Sequence, residues 1–117
     1  MNRSIKFRAW DKNQGVMIEN VKVDEEGHAC WYSGSVCQVS SLVMQFTGLK
    51  DSKGVDIYEG DVCKWLGGSG QVAWSDNEAR WILLDYTGAC SLCCVPRDMI
   101  EIIGSIYENP DLLSPNN

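Results

Sequence analysis

The first apolar stretch of the chain, residues 5–10, alternates between two faces with a period of two. One face would carry Ile5, Phe7 and Ala9, and the other would carry Lys6, Arg8 and Trp10. This alternation is typical of a half-buried strand. Turn-forming residues 11–15 lead into a second apolar stretch, 16–23, so the pattern predicts a β-hairpin at the start of the chain.

Similar signals predict strands along most of the remaining sequence. Short apolar runs bounded by Gly, Asn, Asp or Ser occur at 30–32, 44–47, 62–66, 71–74, 80–86 and 101–107. Turns are expected at 48–54 and 58–61, and a glycine-rich hairpin tip at 67–70. Helical turns are expected only at 97–100 and 109–113, and residues 36–43 show no pattern that predicts an element. The chain is therefore predicted to be mostly β.

The predicted elements fall into two parts of one compact domain. Residues 1–43 hold the N-terminal hairpin and a variable segment, and residues 44–113 hold a small barrel that ends in a helical turn. Residues 114–117 form a polar tail. A chain of 117 residues is long enough for one domain with a buried core.

Composition and charge narrow the class of protein. Hydrophobic residues make up 44% and charged residues 22%, which is ordinary for a folded domain. The net charge of -6 disfavours a nucleic-acid partner, although residues 1–12 hold four basic side chains against one acid. No apolar run reaches the roughly 18 residues of a membrane span, and the N-terminus has no apolar secretion signal. We therefore expect a cytoplasmic protein without structural disulfides.

The six cysteines are the first candidates for chemistry. Cys90 and Cys93 form a C-x-x-C, and Cys30 and Cys37 are the weak candidates to complete a zinc site with them. Cys30 and Cys37 are not spaced as the C-x-x-C of a zinc-binding turn. A free cysteine in a strand is commonly a buried apolar residue, so no metal or other cofactor is expected. With His28 as its sole histidine and no phosphate-binding loop, the chain is not expected to be an enzyme.

Three segments together resemble the YopX family of small phage and prophage proteins. They are IKFRAWDK (5–12), QFTGLKDSKGVDIYEGDV (45–62) and IIGSIYENPDLL (102–113), in that order along the chain. The resemblance implies a mostly β fold with an SH3-like small barrel and a small additional β/α part at the N-terminus. It also implies a gene carried by a phage or prophage and a bacterial host cell. It supplies no catalytic or binding residues.

Two functions remain in competition. The preferred one is a non-enzymatic interaction protein that self-associates or binds a phage or host protein; the alternative is a nucleic-acid-binding barrel that uses the basic N-terminal strand. The candidate interaction residues are Lys6, Arg8, Trp10, Tyr58, Glu59 and Asp61. A role in shaping the turn is the preferred alternative for the last three. Of the five tryptophans, at least three are expected to pack in a core.

Overall fold

The computed structural model describes residues 5–66, 68–85 and 88–109, apart from the side chains of Cys93 and Arg97. These residues form twelve β-strands and two short 3₁₀ helices, so the mostly β prediction is confirmed. The chain divides into two compact units, residues 1–46 and 47–117. No helix among the described residues has the length and apolar character needed to cross a membrane.

The first unit contains two sets of antiparallel strands. The strands are β1 (Phe7–Asp11), β2 (Val16–Glu19), β3 (Lys22–Val23), β4 (Ala29–Ser33), β5 (Val36–Ser40) and the beginning of β6 (Val43–Lys50). β1 pairs with β2 on one side and with β6 on the other. β3, β4 and β5 form a separate three-stranded sheet. The expected hairpin of the first two strands is therefore present.

Two sequence predictions for this unit need correction. The strand expected over 16–23 is interrupted at Asn20, whose φ of 55° lies in the left-handed region that asparagine tolerates better than most residues. The helical component implied for the N-terminal part is absent from residues 5–46, which form strands, turns and loops only. The buried cluster of this unit is small, and comprises Ala9, Val21 and Ala29.

The second unit is built around a five-stranded antiparallel sheet, curled into a half-barrel. β7 (Asp56–Tyr58) pairs with β6, and the sheet contains β8 (Asp61–Trp65), β9 (Gly68–Ser75), β10 (Arg80–Asp85), β11 (Gly88–Ser91) and β12 (Glu101–Ser105). The strand order is β11-β10-β9-β8-β12. The SH3-like assignment of this sheet stays a prediction.

Local details of the second unit differ from the sequence pattern at one hairpin. β9 begins at Gly68, which is paired with Trp65, so the expected flexible tip over 67–70 is mostly strand. The expected helical turn at 97–100 is a 3₁₀ helix, Arg97–Met99. The terminal turn expected at 109–113 lies outside the described residues except for its first residue.

The buried apolar cluster of the second unit has more members than that of the first. Its buried residues are Ile57, Cys63, Val72, Leu83, Leu92 and Ile100. Trp65 and Trp81 pack against this cluster, and Trp31 packs against the cluster of the first unit. Trp74 is 46% exposed and contacts Trp81 edge-on, with ring centroids 5.1 Å apart. Three of the five tryptophans thus contact a core.

Candidate interaction surface

The basic N-terminal strand does not present its three candidate residues to solvent together. The ammonium of Lys6 lies 4.6 Å from the centre of the Phe46 ring, a cation–π contact. Arg8 is only 8% exposed, and Trp10 is half-buried. The backbone carbonyl of Trp10 accepts a hydrogen bond from Ser40 Oγ at 3.0 Å. In addition, β1 lies between β2 and β6, so neither of its edges is open.

The second group of candidates, Tyr58, Glu59 and Asp61, forms a tight turn. Tyr58 is 5% exposed and Asp61 is 2% exposed. Asp61 Oδ2 accepts the backbone N–H of Tyr58 at 2.8 Å, which closes the turn around Gly60 with its φ of 87°. Only Glu59 is partly exposed. This arrangement supports the architectural role for Tyr58 and Asp61.

A carboxylate that the sequence did not single out, Asp51, anchors the loop before β7. Its Oδ1 accepts the backbone N–H groups of Lys53 and Val55, both at 2.9 Å, and its Oδ2 accepts that of Ile102 at 3.1 Å. Burial alone would raise the pKa of Asp51, but these three N–H groups, with the Lys53 charge, lower it below its ordinary value. Asp51 therefore ties the loop to the start of β12.

An open groove of about 630 Å³ lies beside this loop. Its lining includes Gly48, Leu49, Ser52 and Asp98, together with Asp51. The carboxylate of Asp51 already accepts three backbone N–H groups, so its position is explained by loop structure. The groove gains no ligand-binding group from the buried acid in its wall.

The cysteines differ sharply in their surroundings. Cys63 is fully buried, and burial together with the nearby Asp61 and Asp51 raises the pKa of its thiol to about 12. Cys30, Cys37, Cys90 and Cys94 are exposed residues without a disulfide partner. Burial, followed by Cys94 and Asp85, raises the pKa of Cys90. A thiol with a raised pKa is a poor nucleophile at neutral pH, so neither Cys63 nor Cys90 has the low pKa of a catalytic cysteine.

No three His, Cys, Asp or Glu side chains are placed to hold a metal ion within residues 5–66, 68–85 and 88–109. The side chain of Cys93, one of the four weak zinc candidates, lies outside this description. His28 is half-exposed, and its Nδ1 lies 3.7 Å from both Asp24 Oδ2 and Glu26 Oε2. These three side chains belong to an acidic turn at the surface.

One face of the three-stranded sheet exposes apolar side chains that a core would ordinarily cover. Cys30 lies opposite Val39 and Tyr32 lies opposite Cys37, so all four side chains project from the same face of β4 and β5. Tyr32 is 75% exposed, Val39 is 71% exposed, and both cysteines are exposed. We call these four residues the outer face.

Sequence reasoning found the two cysteines of the outer face but not Tyr32 or Val39. The alternation in ACWYS (29–33) and VCQVS (36–40) is visible in the sequence. A period of two identifies the two faces of a strand without saying which face is covered. Ala29 and Trp31 lie on the opposite face and pack in the first unit's cluster, which leaves the outer face to solvent.

The described residues therefore define a small β protein of two units with an exposed apolar face on the first. The chain belongs to the YopX family, since the model of the YopX protein matches residues 6–114. It is similar to a crystal structure of protein EF1440 from Enterococcus faecalis, with 29% sequence identity and a TM-score of 0.63. That similarity covers 97% of this chain and 100% of the other. No curated protein matches the sequence.

Proposed function

We propose that this protein is a non-enzymatic interaction module that self-associates through the outer face. The observation that carries the proposal is the exposure of Tyr32 and Val39 at neighbouring positions of one sheet face. Aromatic residues are enriched at the centres of protein interfaces, where a single ring can supply a large part of the binding energy. Burying an exposed apolar side chain such as that of Val39 stabilises an interface by roughly 1.5–3 kcal/mol.

The distribution of charge favours contact through the first unit. Residues 1–46 hold five acidic and five basic side chains, whereas residues 47–117 hold eleven acidic and five basic ones. Two copies that met through their second units would bring like charges together, which opposes association. None of the four residues of the outer face is Asp, Glu, Lys, Arg or His, so contact there does not bring the acidic excess of the two second units together.

The proposal includes a role as a phage or prophage accessory protein, which rests on the family resemblance, and a place in the bacterial cytoplasm, which rests on the sequence pattern. A phage or host protein is the alternative occupant of the outer face. The nucleic-acid alternative uses Trp10 and the four basic residues of 1–12 as one platform, and it has less support because Arg8, one of the four, is buried.

Sedimentation velocity over a range of protein concentrations tests the proposal. The wild-type protein should pass from monomer to dimer as its concentration rises, and Tyr32→Glu should remain monomeric because a buried, unpaired carboxylate opposes association. Leu66→Glu is the matched control, since Leu66 is 84% exposed in the second unit and its replacement adds the same charge. A monomeric wild type, or equal loss of dimer in both variants, would overturn the proposal.

A further inference from the structure

The outer face carries two exposed thiols that neither packing nor a disulfide explains. Free cysteine is among the most buried residue types in proteins, yet Cys30 and Cys37 are both exposed and neither forms a disulfide. They lie on adjacent strands of one sheet face, because Cys37 is opposite Tyr32 and Cys30 is two residues before Tyr32. Two accessible thiols of one chain therefore point in the same direction.

We propose that Cys30 and Cys37 of two copies together bind one zinc ion, which joins the outer faces of a two-fold symmetric dimer. The proposal rests on the self-association proposed above and adds the metal and its ligands. The number of ligands selects the second copy as the occupant. Structural zinc takes four ligands, and the outer face of one chain offers two cysteines. An isologous contact repeats the same pair, which completes a four-thiolate site.

The placement of the two cysteines suits this coordination. Diagonal neighbours on an antiparallel pair have Cα atoms roughly 7–8 Å apart and Cβ atoms somewhat closer. Zn–S bonds of about 2.3 Å in a tetrahedron place neighbouring sulfurs about 3.8 Å apart. Exposed cysteine side chains can rotate to close this gap. The arrangement also agrees with the lack of any three-residue metal group within the described part of one chain.

Charge and proton balance are accounted for on the same face. Each of the four thiols loses its proton to solvent as its sulfur bonds to zinc, so the bound site has a net charge of about -2. Lys22 lies directly opposite Cys30 on β3, and the dimer brings two such lysines beside the site. Their positive charges offset the negative charge of the bound site.

The test measures bound zinc and dimerisation together on protein purified under a phosphine reductant, which keeps the thiols free of disulfides. The wild-type protein should hold about one zinc ion per two chains. Both Cys30→Ser/Cys37→Ser and treatment with a chelator should remove the zinc and weaken the dimer by at least about a hundredfold. Cys90→Ser/Cys94→Ser is the matched control and should retain both zinc and dimer, because these exposed thiols lie in the second unit.

The outcomes separate this inference from the proposed function. A dimer that persists with chelator and contains no zinc would overturn the zinc site and leave self-association standing. A monomer under every condition would overturn both. Zinc held by the monomer, or lost in Cys90→Ser/Cys94→Ser and kept in Cys30→Ser/Cys37→Ser, would overturn the shared site. Zinc and dimer lost together only in Cys30→Ser/Cys37→Ser would support it.

Discussion

Two turns of the chain, residues 24–28 and 51–55, have the same local structure in different surroundings. In the first, Asp24 Oδ1 accepts the N–H groups of Glu26 and His28, both at 2.9 Å. In the second, Asp51 Oδ1 accepts those of Lys53 and Val55, also at 2.9 Å. Each aspartate is followed three residues later by a glycine in the left-handed region. One five-residue pattern, D-x-x-G-x, thus folds the same way in both units.

The two turns differ in what their aspartates reach beyond the turn. The side chain of Asp24 is 58% exposed, and its remaining oxygen lies near His28. Asp51 is 7% exposed, and its second oxygen accepts the N–H of Ile102, which is 51 residues away at the start of β12. The local pattern therefore closes both turns, while a distant strand decides how much the aspartate contributes to stability.

The largest expected effect is the loss of the Asp51 carboxylate. Asp51→Ala should lower the free energy of unfolding by about 3 kcal/mol, because three backbone N–H groups in part-buried hydrogen bonds lose their ionised acceptor. Asp24→Ala should lower it by less, since water replaces the lost acceptor at an exposed turn. Urea unfolding followed by tryptophan fluorescence measures both. Ser52→Ala, at an exposed position in the same loop, should change stability by less than about 0.5 kcal/mol.

Equal costs for Asp51→Ala and Asp24→Ala would contradict the comparison. Such a result would mean that the bond to Ile102 and the burial of Asp51 add nothing to the local turn. A large loss of stability in Ser52→Ala would instead show that any substitution in this loop is damaging. The effect of Asp51→Ala could then not be assigned to the lost carboxylate.

A smaller loss of stability is expected when Asp51 is replaced by asparagine, which has nearly the same shape but no charge. Asp51→Asn should cost about 2 kcal/mol at neutral pH, because hydrogen bonds to an ionised acceptor are stronger than bonds to a neutral amide. The pKa of Asp51 in the folded protein lies below its ordinary value of 3.8, so its contribution is present above that value and is lost as pH falls through the folded pKa. The difference in the free energy of unfolding between the wild type and Asp51→Asn should therefore shrink at acid pH.

Urea unfolding of both proteins at about pH 7 and at about pH 3 or below measures this change. Asp24→Asn is the matched control, since the pKa of Asp24 is lowered as well, first by its hydrogen bond from the His28 N–H. Its exposure predicts a smaller change in the stability difference between the two pH values. A difference between wild type and Asp51→Asn that stays constant with pH would contradict the role of the ionised carboxylate.

The same contrast between local and distant contacts explains which features were predictable from sequence. The alternation in 5–10 and the short runs at 62–66, 71–74 and 80–86 predicted strands correctly, because local periodicity and turn residues define such elements. β5 was missed because its apolar Val36 and Val39 face solvent, so apolar positions there do not mark a core.

The candidate site was less predictable than the fold. Tyr58 and Asp61 were candidates for an interaction surface, but both are buried. Asp51 was overlooked because its partner Ile102 lies far away along the chain. No local pattern shows which face of β4 and β5 remains open, so Tyr32 and Val39 emerge as surface residues only once the sheet is assembled.

The smallest expected effect concerns the two glycines, and it tests the part of the comparison in which the turns should agree. Gly27 has a φ of 86° and Gly54 a φ of 80°, and a Cβ built at either position meets no atom within 4 Å. Gly27→Ala and Gly54→Ala should therefore each cost about 1 kcal/mol, because the left-handed backbone penalty is local and does not depend on packing. Urea unfolding of the two variants under one set of conditions measures both costs. A much larger loss of stability in Gly54→Ala than in Gly27→Ala would contradict this expectation. It would mean that the backbone conformation at Gly54 matters for contacts outside the turn, so the cost would not be purely local.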